Sequence, residues 1–555
     1  MKTLIIPSAT LIPKELQSQF GAIPSCLFPL QDRTMLQRLV EKYAGLADEI
    51  LVVVHEKRQL VYDYVALSKL PVTVVDLPTL GTLGETIAFG FEAALKSDPA
   101  PDALFVNFAD TLLSNKPYDK AADVVYYTEE PFSSDWTYFD HLQGKIENIV
   151  DKKALPASSQ KNGNVFTGVF EFADPRRFLA LLKNHLSHGK REIDAFYAAI
   201  AEYSLAHSFD CVLVGKWYDV GHTQKYFEAK TKVQARAFNT IEIDDNRGIL
   251  TKRSDNRDKF RKEIQWYLKM PEDLQCFIPR IYRYSLDEKD PFVSMEYYGY
   301  TTLHEMFVFG EVPDATWERI FSRLLFLTRC MREHRVMDRK DAQIAAMRNI
   351  YVDKTVARLQ DLKKSGVMQA FFGHPILVNG KEYPSLNACI ESLPDLIAKM
   401  LLGSGPEFCV IHGDLCFSNI LVENDYGFLR LIDPRGEFGS FDIYGDRRYE
   451  LAKLFHSMDG GYDFIIEDLF NVQAEGSSIL LDMPAKRTRV WDLFVSTFAP
   501  ELGDLPALKL IESLLFLSMI PLHSDYLNRQ YAMLATGLRL LDEATKGDRS
   551  WIKPN

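Results

Sequence analysis

Residues 410–436, VIHGDLCFSNILVENDYGFLRLIDPRG, alternate short apolar runs with a small set of polar side chains. The runs within FCVIHGD, NILVE and FLRLIDPRG are rich in aliphatic and aromatic residues, and each is predicted to form a strand. Polar residues stand at the ends of these strands: His412, Asp414, Asn419 and Asp433. Asn419 follows Asp414 by five residues and precedes Asp433 by fourteen, so we expect a loop and the next hairpin to bring three oxygen-bearing side chains together.

This set of side chains suits phosphoryl transfer. The reaction needs little covalent chemistry from the protein, but it needs a base near the acceptor hydroxyl and hard oxygen ligands for Mg²⁺. An Asp and an Asn on either side of a short loop can supply the base and one ligand, and an Asp from the next hairpin can supply the second. An ordinary hairpin with incidental acidic residues is the alternative interpretation.

The spacing resembles the catalytic loop and metal-binding Asp of protein kinases, in the variant carried by the aminoglycoside phosphotransferase and choline kinase family. The matching segments are HGDLCFSN, LIDPRG and GDRRYELAKL, and the resemblance covers roughly residues 240–555. It implies a bilobal protein-kinase-like fold that uses ATP and Mg²⁺. It also implies that Asp414 is the catalytic base and that Asn419 and Asp433 hold the metal ion.

A kinase also needs a cation on the nucleotide phosphates. Lys252, in GILTKRS, lies in a predicted strand with apolar flanks, and Glu263, in FRKEIQWY, lies on the predicted helix that follows. The family resemblance implies that the two form an ion pair at the ATP site. The preceding residues, IEIDDNRGILTKRS, predict a hairpin with its turn at DDNRG. A solvated surface position for either charged residue, or a decayed kinase fold, is the alternative.

The length, charge and cysteine content of the whole chain limit the classes of protein to which it can belong. Its 555 residues are too many for one hydrophobic core, so we expect at least two domains. A net charge of −12 argues against nucleic acid as a partner. Seven scattered cysteines without zinc or redox spacing favour a reduced, cytoplasmic protein. The first apolar run is too short for a signal peptide, and LIESLLFLSMIPL is interrupted by Glu512 and Pro521, so no membrane span is expected.

The first third of the chain alternates apolar, strand-like runs with amphipathic helical segments. TLIIPSA, EILVVVHE, VTVVDLP and ALFVNFAD are the strands of this pattern. Buried strands separated by helices predict a doubly wound, Rossmann-like α/β domain, which binds ligands beyond the carboxyl ends of its strands. The pattern changes near residue 235, and we predict the boundary between Lys230 and Thr240. The predicted domains are residues 1–235 and 240–555, the second with a small lobe at about 240–305 and a helical lobe at about 306–555.

Several N-terminal segments resemble those of sugar-phosphate nucleotidyltransferases over about residues 1–235. They are PSCLFPLQDRTMLQRLVEKY, LGTLGETIAFGFEAAL, VNFADTLL, IVDKK and KWYDVGHTQKYFEAK. The resemblance implies that the backbone of Gly81 and Gly84 approaches a nucleotide closely. It also implies that Asp110 and Asp219 hold Mg²⁺, and that Lys152 acts in catalysis beside the sugar phosphate.

The first loop departs from that family. Its Gly-x-Gly-Thr-Arg segment wraps the triphosphate, whereas this chain has PSATLIPKELQSQFG, and the family's later Lys is Ser25. Lys14 or Arg33 is a candidate substitute cation. His55, His222 and His304 lack neighbours with metal-ligand spacing, and we expect each to be a structural or surface histidine.

Together these features predict a bifunctional enzyme. The C-terminal domain would phosphorylate a small hydroxylated acceptor, a sugar in the first instance, with ATP. The N-terminal domain would then use a second nucleoside triphosphate to make an activated precursor, such as one for capsule or lipopolysaccharide. The alternatives are a kinase whose first domain only binds a ligand or serves assembly, a choline or ethanolamine kinase joined to a cytidylyltransferase, and a scaffold with two decayed sites. Residues 340–400 are predicted to be helical, without an assignable site residue, and the oligomeric state is left open.

Overall fold

The computed structural model describes residues 1–117, 122–131, 134–153, 162–189, 192–232, 239–244, 246–403, 405, 407–423, 427–484 and 488–547. The chain divides into two compact units: Met1–Val233 with Phe309–Glu311, and Gln234–Val308 with Val312–Asn555. The predicted boundary between Lys230 and Thr240 includes residues 233–238, which lie outside the described residues. Asp245 of the predicted DDNRG turn lies outside them as well.

The elements of the N-terminal unit follow in chain order. They are β1 (Lys2–Ser8), α1 (Lys14–Phe20), a 3₁₀ turn (Ser25–Leu27), β2 (Pro29–Leu30), β3 (Arg33–Thr34), α2 (Met35–Tyr43), β4 (Glu49–Val54), α3 (Arg58–Ser68), β5 (Thr73–Asp76), α4 (Leu83–Ala94), β6 (Ala103–Asn107), β7 (Thr111–Leu113), β8 (Val124–Pro131), β9 (Thr137–Leu142), β10 (Lys145–Asp151), β11 (Asn162–Phe172), α5 (Pro175–Ser187), α6 (Ala195–Ser204), β12 (Asp210–Leu213), β13 (Trp217–Asp219) and α7 (Thr223–Lys232).

A nine-stranded sheet, counted over the described residues, organises this unit. Its central strands run in the order β6-β1-β4-β5 and pair in parallel, which confirms the predicted α/β fold class. β1, β4 and β6 are almost wholly apolar and buried, whereas β5, at the edge of the sheet, is half-buried or exposed. β11 pairs antiparallel with β6 and β8, so the complete sheet is mixed.

Two short strands place the acidic residues of this unit. β7 and β13 pair antiparallel, with Asp219 opposite Thr111. Asp110, the residue before Thr111, stands just beyond the carboxyl end of β6, and its carbonyl accepts the N–H of Val220 at 2.8 Å. The pairing therefore brings two carboxylates together that lie more than a hundred residues apart in the sequence.

The elements of the C-terminal unit also follow in chain order. They are β14 (Asn239–Asp244), β15 (Ile249–Ser254), α8 (Arg257–Lys269), a 3₁₀ turn (Glu272–Phe277), β16 (Ile281–Ser285), β17 (Phe292–Glu296), β18 (Thr301–Thr302), α9 (Leu303–Phe309), α10 (Asp314–Glu333), α11 (Lys340–Met347), a π-helical turn (Arg348–Asp353), α12 (Lys354–Lys364), α13 (Ala370–Gly373), β19 (Ile376–Val378), β20 (Lys381–Tyr383), α14 (Leu386–Ile397), a π-helical turn (Ala398–Leu402), β21 (Phe408–Val410), a 3₁₀ turn (Phe417–Asn419), β22 (Ile420–Glu423), β23 (Phe428–Leu431), β24 (Tyr444–Asp446), α15 (Arg447–Met458), α16 (Tyr462–Ile466), β25 (Asn471–Glu475), β26 (Ser478–Asp482), α17 (Thr488–Phe498), a 3₁₀ turn (Ala499–Glu501), α18 (Leu505–Met519), a 3₁₀ turn (Ile520–His523) and α19 (Leu527–Lys546).

Two β-structures carry the polar residues of this unit. A four-stranded antiparallel sheet, β14-β15-β17-β16, holds Lys252 on β15, and α8 follows β15 directly. β22 and β23 form the predicted hairpin, with Ile420 opposite Leu431. The N–H of Ile432 donates to the carbonyl of Asn419 at 3.1 Å, so Asp433 leaves the hairpin beside Asn419.

One helical stretch among the described residues, Leu505–His523, is long and apolar enough to cross a membrane by length and composition. It is largely buried, at 78% of its residues. It also carries Lys509 and Glu512 in the interior, where Lys509 forms an ion pair with Asp459. The stretch is therefore a core helix of the C-terminal unit.

Candidate functional site

The loop after β21 carries Asp414 at a half-exposed position. Glu450 fixes this loop, because its carboxylate accepts the backbone N–H groups of His412 at 2.9 Å and Gly413 at 3.0 Å. Burial raises the pKa of Glu450 to about 7, although the two backbone donors oppose that rise. The Asp414 loop is thus held from α15, a helix that follows it in the chain.

His412 also holds the Asp414 loop in place by a hydrogen bond. Its Nε2 contacts the carbonyl of Ile432 at 2.9 Å, which ties the loop to the residue before Asp433. Burial lowers the pKa of His412 to about 4, so the imidazole is neutral at physiological pH. His412 therefore serves by hydrogen bonding.

Lys453 is the cation beside Asp414, and sequence reasoning missed it. Its Nζ lies 2.8 Å from Asp414 Oδ1, and its side chain is buried. Burial alone would raise the pKa of Asp414, but the neighbouring Lys453 outweighs burial and the net pKa is lowered. Asp414 is accordingly an ionised carboxylate held in a fixed orientation.

Asn419 and Asp433 present oxygen atoms to the same cleft. The amide nitrogen of Asn419 donates to the Asp414 carbonyl at 2.8 Å, which leaves the amide oxygen to bind a cation. Asp433 adopts a left-handed backbone conformation with φ of 55°, and its N–H donates to the Tyr267 hydroxyl at 3.1 Å. An all-oxygen pair of this kind fits Mg²⁺, whose remaining ligands come from water and substrate phosphates.

Lys252 joins the two lobes of the C-terminal unit. Its Nζ donates to Glu263 Oε1 and to Asp433 Oδ1, each at 2.7 Å. Burial would lower the pKa of Lys252, yet the two carboxylates raise it, so the lysine stays charged. Burial raises the pKa of Glu263 to about 7, against the effect of Lys252. The predicted pair thus exists, and it also contacts the predicted metal ligand.

A cleft of about 1130 Å³ contains all five predicted C-terminal residues. They are Lys252, Glu263, Asp414, Asn419 and Asp433. Three further cations line this cleft beside Asp414, namely Lys354, Arg358 and Arg435, and sequence reasoning missed these as well.

The N-terminal unit has its own cavity of about 540 Å³, and Asp110 and Asp219 both line it. A methyl group at Gly221 would lie 2.5 Å from Asp110 Oδ2 and 3.2 Å from Asp219 Oδ1, so the two carboxylates converge on one point. Burial, followed by the charge of Asp219, raises the pKa of Asp110 to about 6. A divalent cation between these carboxylates would relieve that repulsion.

Asp219 is positioned by two aromatic donors. Trp136 Nε1 donates to Asp219 Oδ2 at 2.8 Å, and His222 Nδ1 contacts the same oxygen at 2.7 Å. The hydrogen bond to Asp219 raises the pKa of His222. His222 also lines the cavity, although the sequence predicted only a structural or surface histidine.

Of the three remaining predicted N-terminal residues, two lie at the cavity and one does not. Lys152 is exposed and lines the cavity, and Gly81 lines it too. Gly84 does not line it. Its N–H donates to Asp194 Oδ1 at 3.1 Å, and an added Cβ would lie 3.0 Å from that oxygen, so the close approach of Gly84 is to the start of α6.

The segment after β1 is folded onto its own core. Helix α1 buries Leu16 and Phe20 against Phe28 and Tyr226. Neither of the candidate substitute cations lines the cavity: Lys14 is exposed, and Arg33 pairs with Glu41. Among the described residues that do line it, Lys152 and His222 are the basic side chains, against five aspartates.

No grouping of three or more His, Cys, Asp or Glu side chains suited to a metal ion occurs within the described ranges. Both candidate sites instead offer two protein oxygen ligands. Two ligands are enough for Mg²⁺ when a nucleotide's phosphates complete its coordination shell.

Comparisons with known proteins found likenesses among solved structures. No family model and no curated protein matched the chain. CTP:phosphocholine cytidylyltransferase from Streptococcus pneumoniae is 14% identical, covers 41% of this chain and 97% of its own, and has a TM-score of 0.34. HddC from Yersinia pseudotuberculosis is 15% identical, covers 42% of this chain and 100% of its own, with a TM-score of 0.33. A thermostable mutant of aminoglycoside phosphotransferase APH(4)-Ia is 12% identical, covers 57% of this chain and 94% of its own, with a TM-score of 0.35.

Part by part, the chain is thus similar to nucleotidyltransferases and to aminoglycoside phosphotransferases.

Proposed function

We propose that the C-terminal unit is a Mg²⁺- and ATP-dependent kinase for a small hydroxylated acceptor. The observation that carries this proposal is the position of Lys252, bonded at 2.7 Å to both Glu263 and Asp433 in the cleft that contains Asp414. A buried cation beside oxygen ligands and an ionised carboxylate is the arrangement that phosphoryl transfer requires.

Each residue has a role in the proposed reaction. The acceptor hydroxyl binds beside Asp414, which takes its proton as the new oxygen–phosphorus bond forms and the bond to the ADP oxygen breaks. Lys252 neutralises phosphate charge, and Glu263 holds Lys252 in place. Mg²⁺, held by Asn419 and Asp433, would offset the charge that develops on the phosphate oxygens. Lys453 fixes the orientation of Asp414 and keeps it ionised.

We further propose that the N-terminal unit transfers a nucleoside monophosphate to the phosphorylated product. A phosphate oxygen of that product would attack the α-phosphorus of a nucleoside triphosphate, and pyrophosphate would leave. The converging carboxylates of Asp110 and Asp219 support a metal site for this step, and Lys152 supports binding of the sugar phosphate. Consecutive steps on one chain would keep the intermediate at a high local concentration.

A kinase whose N-terminal unit only binds a ligand is the second candidate. It is favoured by helix α1, which occupies the place of a phosphate-wrapping loop, and by the excess of aspartate over basic side chains in that cavity. In either case we propose that the reaction takes place in the cytoplasm, where ATP is available. We also propose that its products are precursors of surface glycans.

Two assays on the whole chain separate these candidates. ATP and Mg²⁺ with a panel of sugars and alcohols should give acceptor-dependent ADP, and Asp414→Ala should abolish it. Each nucleoside triphosphate added with the phosphorylated product should then release pyrophosphate, and Asp219→Ala should stop that release alone. ADP without pyrophosphate would leave the kinase and reject the second activity, whereas unchanged turnover in Asp414→Ala would reject the assigned base.

A further inference from the structure

Three partly buried basic side chains line the C-terminal cleft without a carboxylate partner among the described residues. Lys354 begins α12, Arg358 lies one turn later on the same helix, and Arg435 follows the proposed metal ligand Asp433 by two residues. None of the three forms an ion pair with Asp or Glu among the residues that the structure describes. Such cations lose hydration without a compensating charge, which is costly unless a ligand supplies one.

The three cations are held in place by neutral groups. Arg358 Nη1 donates to the carbonyl of Ser518 at 3.1 Å, and Arg435 Nη1 contacts the Tyr449 hydroxyl at 2.9 Å. Burial, together with the charges of Arg435, Arg358 and Lys453, lowers the pKa of Lys354 to about 6. At neutral pH Lys354 is therefore largely uncharged beside the two arginines, and a bound anion would relieve their repulsion and let Lys354 take up a proton.

The other charged pairs in the cleft are already matched. Lys252 neutralises Glu263 and Asp433, and Lys453 neutralises Asp414. The charges that act most strongly on Lys354 include Lys453 and Asp414 rather than the Lys252 pair. Lys259 on α8 also lines the cleft but is exposed, so the partly buried basic side chains without a carboxylate partner lie on the side of the base, where the acceptor hydroxyl must bind.

We propose that Lys354, Arg358 and Arg435 form an anion-binding subsite for the acceptor. The acceptor would then be a hydroxylated carboxylate or the phosphate ester of a sugar or polyol, held by its negative group while its hydroxyl meets Asp414. Apolar residues from the end of α18 and the following turn, Met519 and Leu522, line the same cleft and suit a short carbon skeleton. An amino alcohol such as choline would place its cation against this cluster and would be excluded. The inference rests on the proposed kinase activity and narrows its substrate class.

A binding experiment tests the subsite without any turnover. Sulfate is titrated calorimetrically into the whole protein saturated with Mg²⁺ and a non-hydrolysable ATP analogue. Wild-type protein should bind sulfate. Lys354→Met should weaken that binding at least tenfold, because it removes one charge-assisted hydrogen bond to the anion. Lys364→Met is the matched control: Lys364 lies on the same helix, is 76% exposed and pairs with Asp361. Its sulfate affinity should equal that of the wild type.

The unfolding temperature distinguishes a binding role of Lys354 from a structural one. If Lys354 stabilised the fold, its replacement by Met would lower that temperature. Because Lys354 is partly buried beside two arginines and has no carboxylate partner among the described residues, Lys354→Met should unfold at the wild-type temperature or above it. Equal sulfate affinity in wild type and Lys354→Met would overturn the subsite. Displacement of the ATP analogue by sulfate would assign the three cations to the nucleotide and overturn it too.

Matched acceptors then identify the anion. Glycerol, glycerate and glycerol 3-phosphate are compared, followed by glucose, glucuronate and glucose 6-phosphate, with choline as the cationic comparison. One anionic member of a set should show at least tenfold higher kcat/KM than its neutral partner, and the better of the two separates carboxylate from phosphate. Lys354→Met should raise KM for that acceptor and leave KM for ATP unchanged. Preference for choline or a neutral acceptor would overturn the anion-binding subsite but leave the proposed kinase activity in place. Failure of the wild-type protein to bind ATP would reject the kinase activity itself.

Discussion

Lys453 lies 2.8 Å from Asp414, although the two residues come from different elements of the chain. The lysine projects from α15, and the aspartate stands in the loop after β21. Because Lys453 is buried, it holds Asp414 in one orientation and keeps it ionised. The orientation of the proposed base is therefore set by a partner thirty-nine residues away in the sequence.

Replacing Lys453 by Met should lower kcat of the proposed kinase by about 10- to 100-fold, because Asp414 loses its orientation. Affinity for the ATP analogue should stay unchanged, since Lys453 does not contact the Lys252 pair. Acceptor-dependent ADP release measures the first quantity, and fluorescence titration measures the second. Lys453→Arg keeps the charge and should recover part of the activity. Equal kcat in Lys453→Met and wild type would show that this ion pair has no role in turnover.

Replacing Lys252 by Met should weaken binding of a fluorescent ATP analogue with Mg²⁺ by about tenfold or more, because a charge-assisted contact to phosphate is lost. Glu263→Gln should give a smaller loss, since the lysine remains but is held less firmly. Lys269→Met is the control on α8, the helix of Glu263, where Lys269 forms a half-exposed ion pair with Asp442. If Lys252→Met and Lys269→Met bind the analogue equally well, Lys252 does not contact the nucleotide.

His304 should make stability depend on pH. It is buried between Asp463, at 2.7 Å, and Glu467, at 2.9 Å. Burial would lower the pKa of His304, but these carboxylates raise it to about 10. The folded pKa exceeds the unfolded value, so this contribution is complete below about pH 6.5 and is lost as pH rises through about 10.

Urea unfolding of wild type and His304→Gln checks this expectation. The difference in unfolding free energy should be about 2 to 4 kcal/mol near pH 7 and should shrink toward zero above about pH 10. A difference that is constant across that range would mean that His304 acts by packing alone.

Two glycines allow a matched test of the N-terminal carboxylates. A Cβ at Gly221 would lie 2.5 Å from Asp110 Oδ2, whereas a Cβ at Gly215 would meet no atom within 4 Å. Gly221→Ala should therefore push the carboxylates apart and abolish pyrophosphate release, with a cost of about 1 to 3 kcal/mol in stability. Gly215→Ala should retain both properties. Pyrophosphate release that survives in Gly221→Ala would place the second reaction elsewhere.

The C-terminal residues named from the sequence lie together in one cleft. Their positions could be predicted because they depend on short strands and on spacings within a short stretch of sequence. FCVIHGD, NILVE and FLRLIDPRG correspond to β21, β22 and β23, and the antiparallel register of the hairpin puts Asn419 beside Asp433. Lys252 was found because a lysine within an apolar strand has few places to direct its charge other than a cleft. Periodicity and local chemistry predicted the strands and the cluster of polar residues, and the family resemblance supplied their roles and the pairing of Lys252 with Glu263.

Lys354 and Arg358 could not be found in that way. On an amphipathic helix a lysine and an arginine one turn apart match a solvated face, and only the folded chain shows that Ser518 and Arg435 lie against them. Lys453 was missed for the same reason, because its partner is distant in sequence. His222 was missed because its partner, Asp219, is a carboxylate rather than a second metal-ligand histidine.

The segment after β1 shows a different limit. The absence of a glycine-rich loop was visible in the sequence, but the helix that replaces it was not, since a seven-residue helix with only two apolar residues gives little pattern to recognise. Leu16 and Phe20 join the core with Tyr226, so this segment contributes to stability rather than to a phosphate-binding loop. The candidate cations Lys14 and Arg33 are therefore absent from the cavity lining.

Transfer of a radiolabelled γ-phosphate from ATP to an acceptor is the measurement that tests the central claim most directly. We predict transfer by the wild type in the presence of Mg²⁺ and a loss of at least a hundredfold in Asp414→Asn, with unchanged affinity for the ATP analogue. Equal transfer by the two proteins would contradict the proposed site.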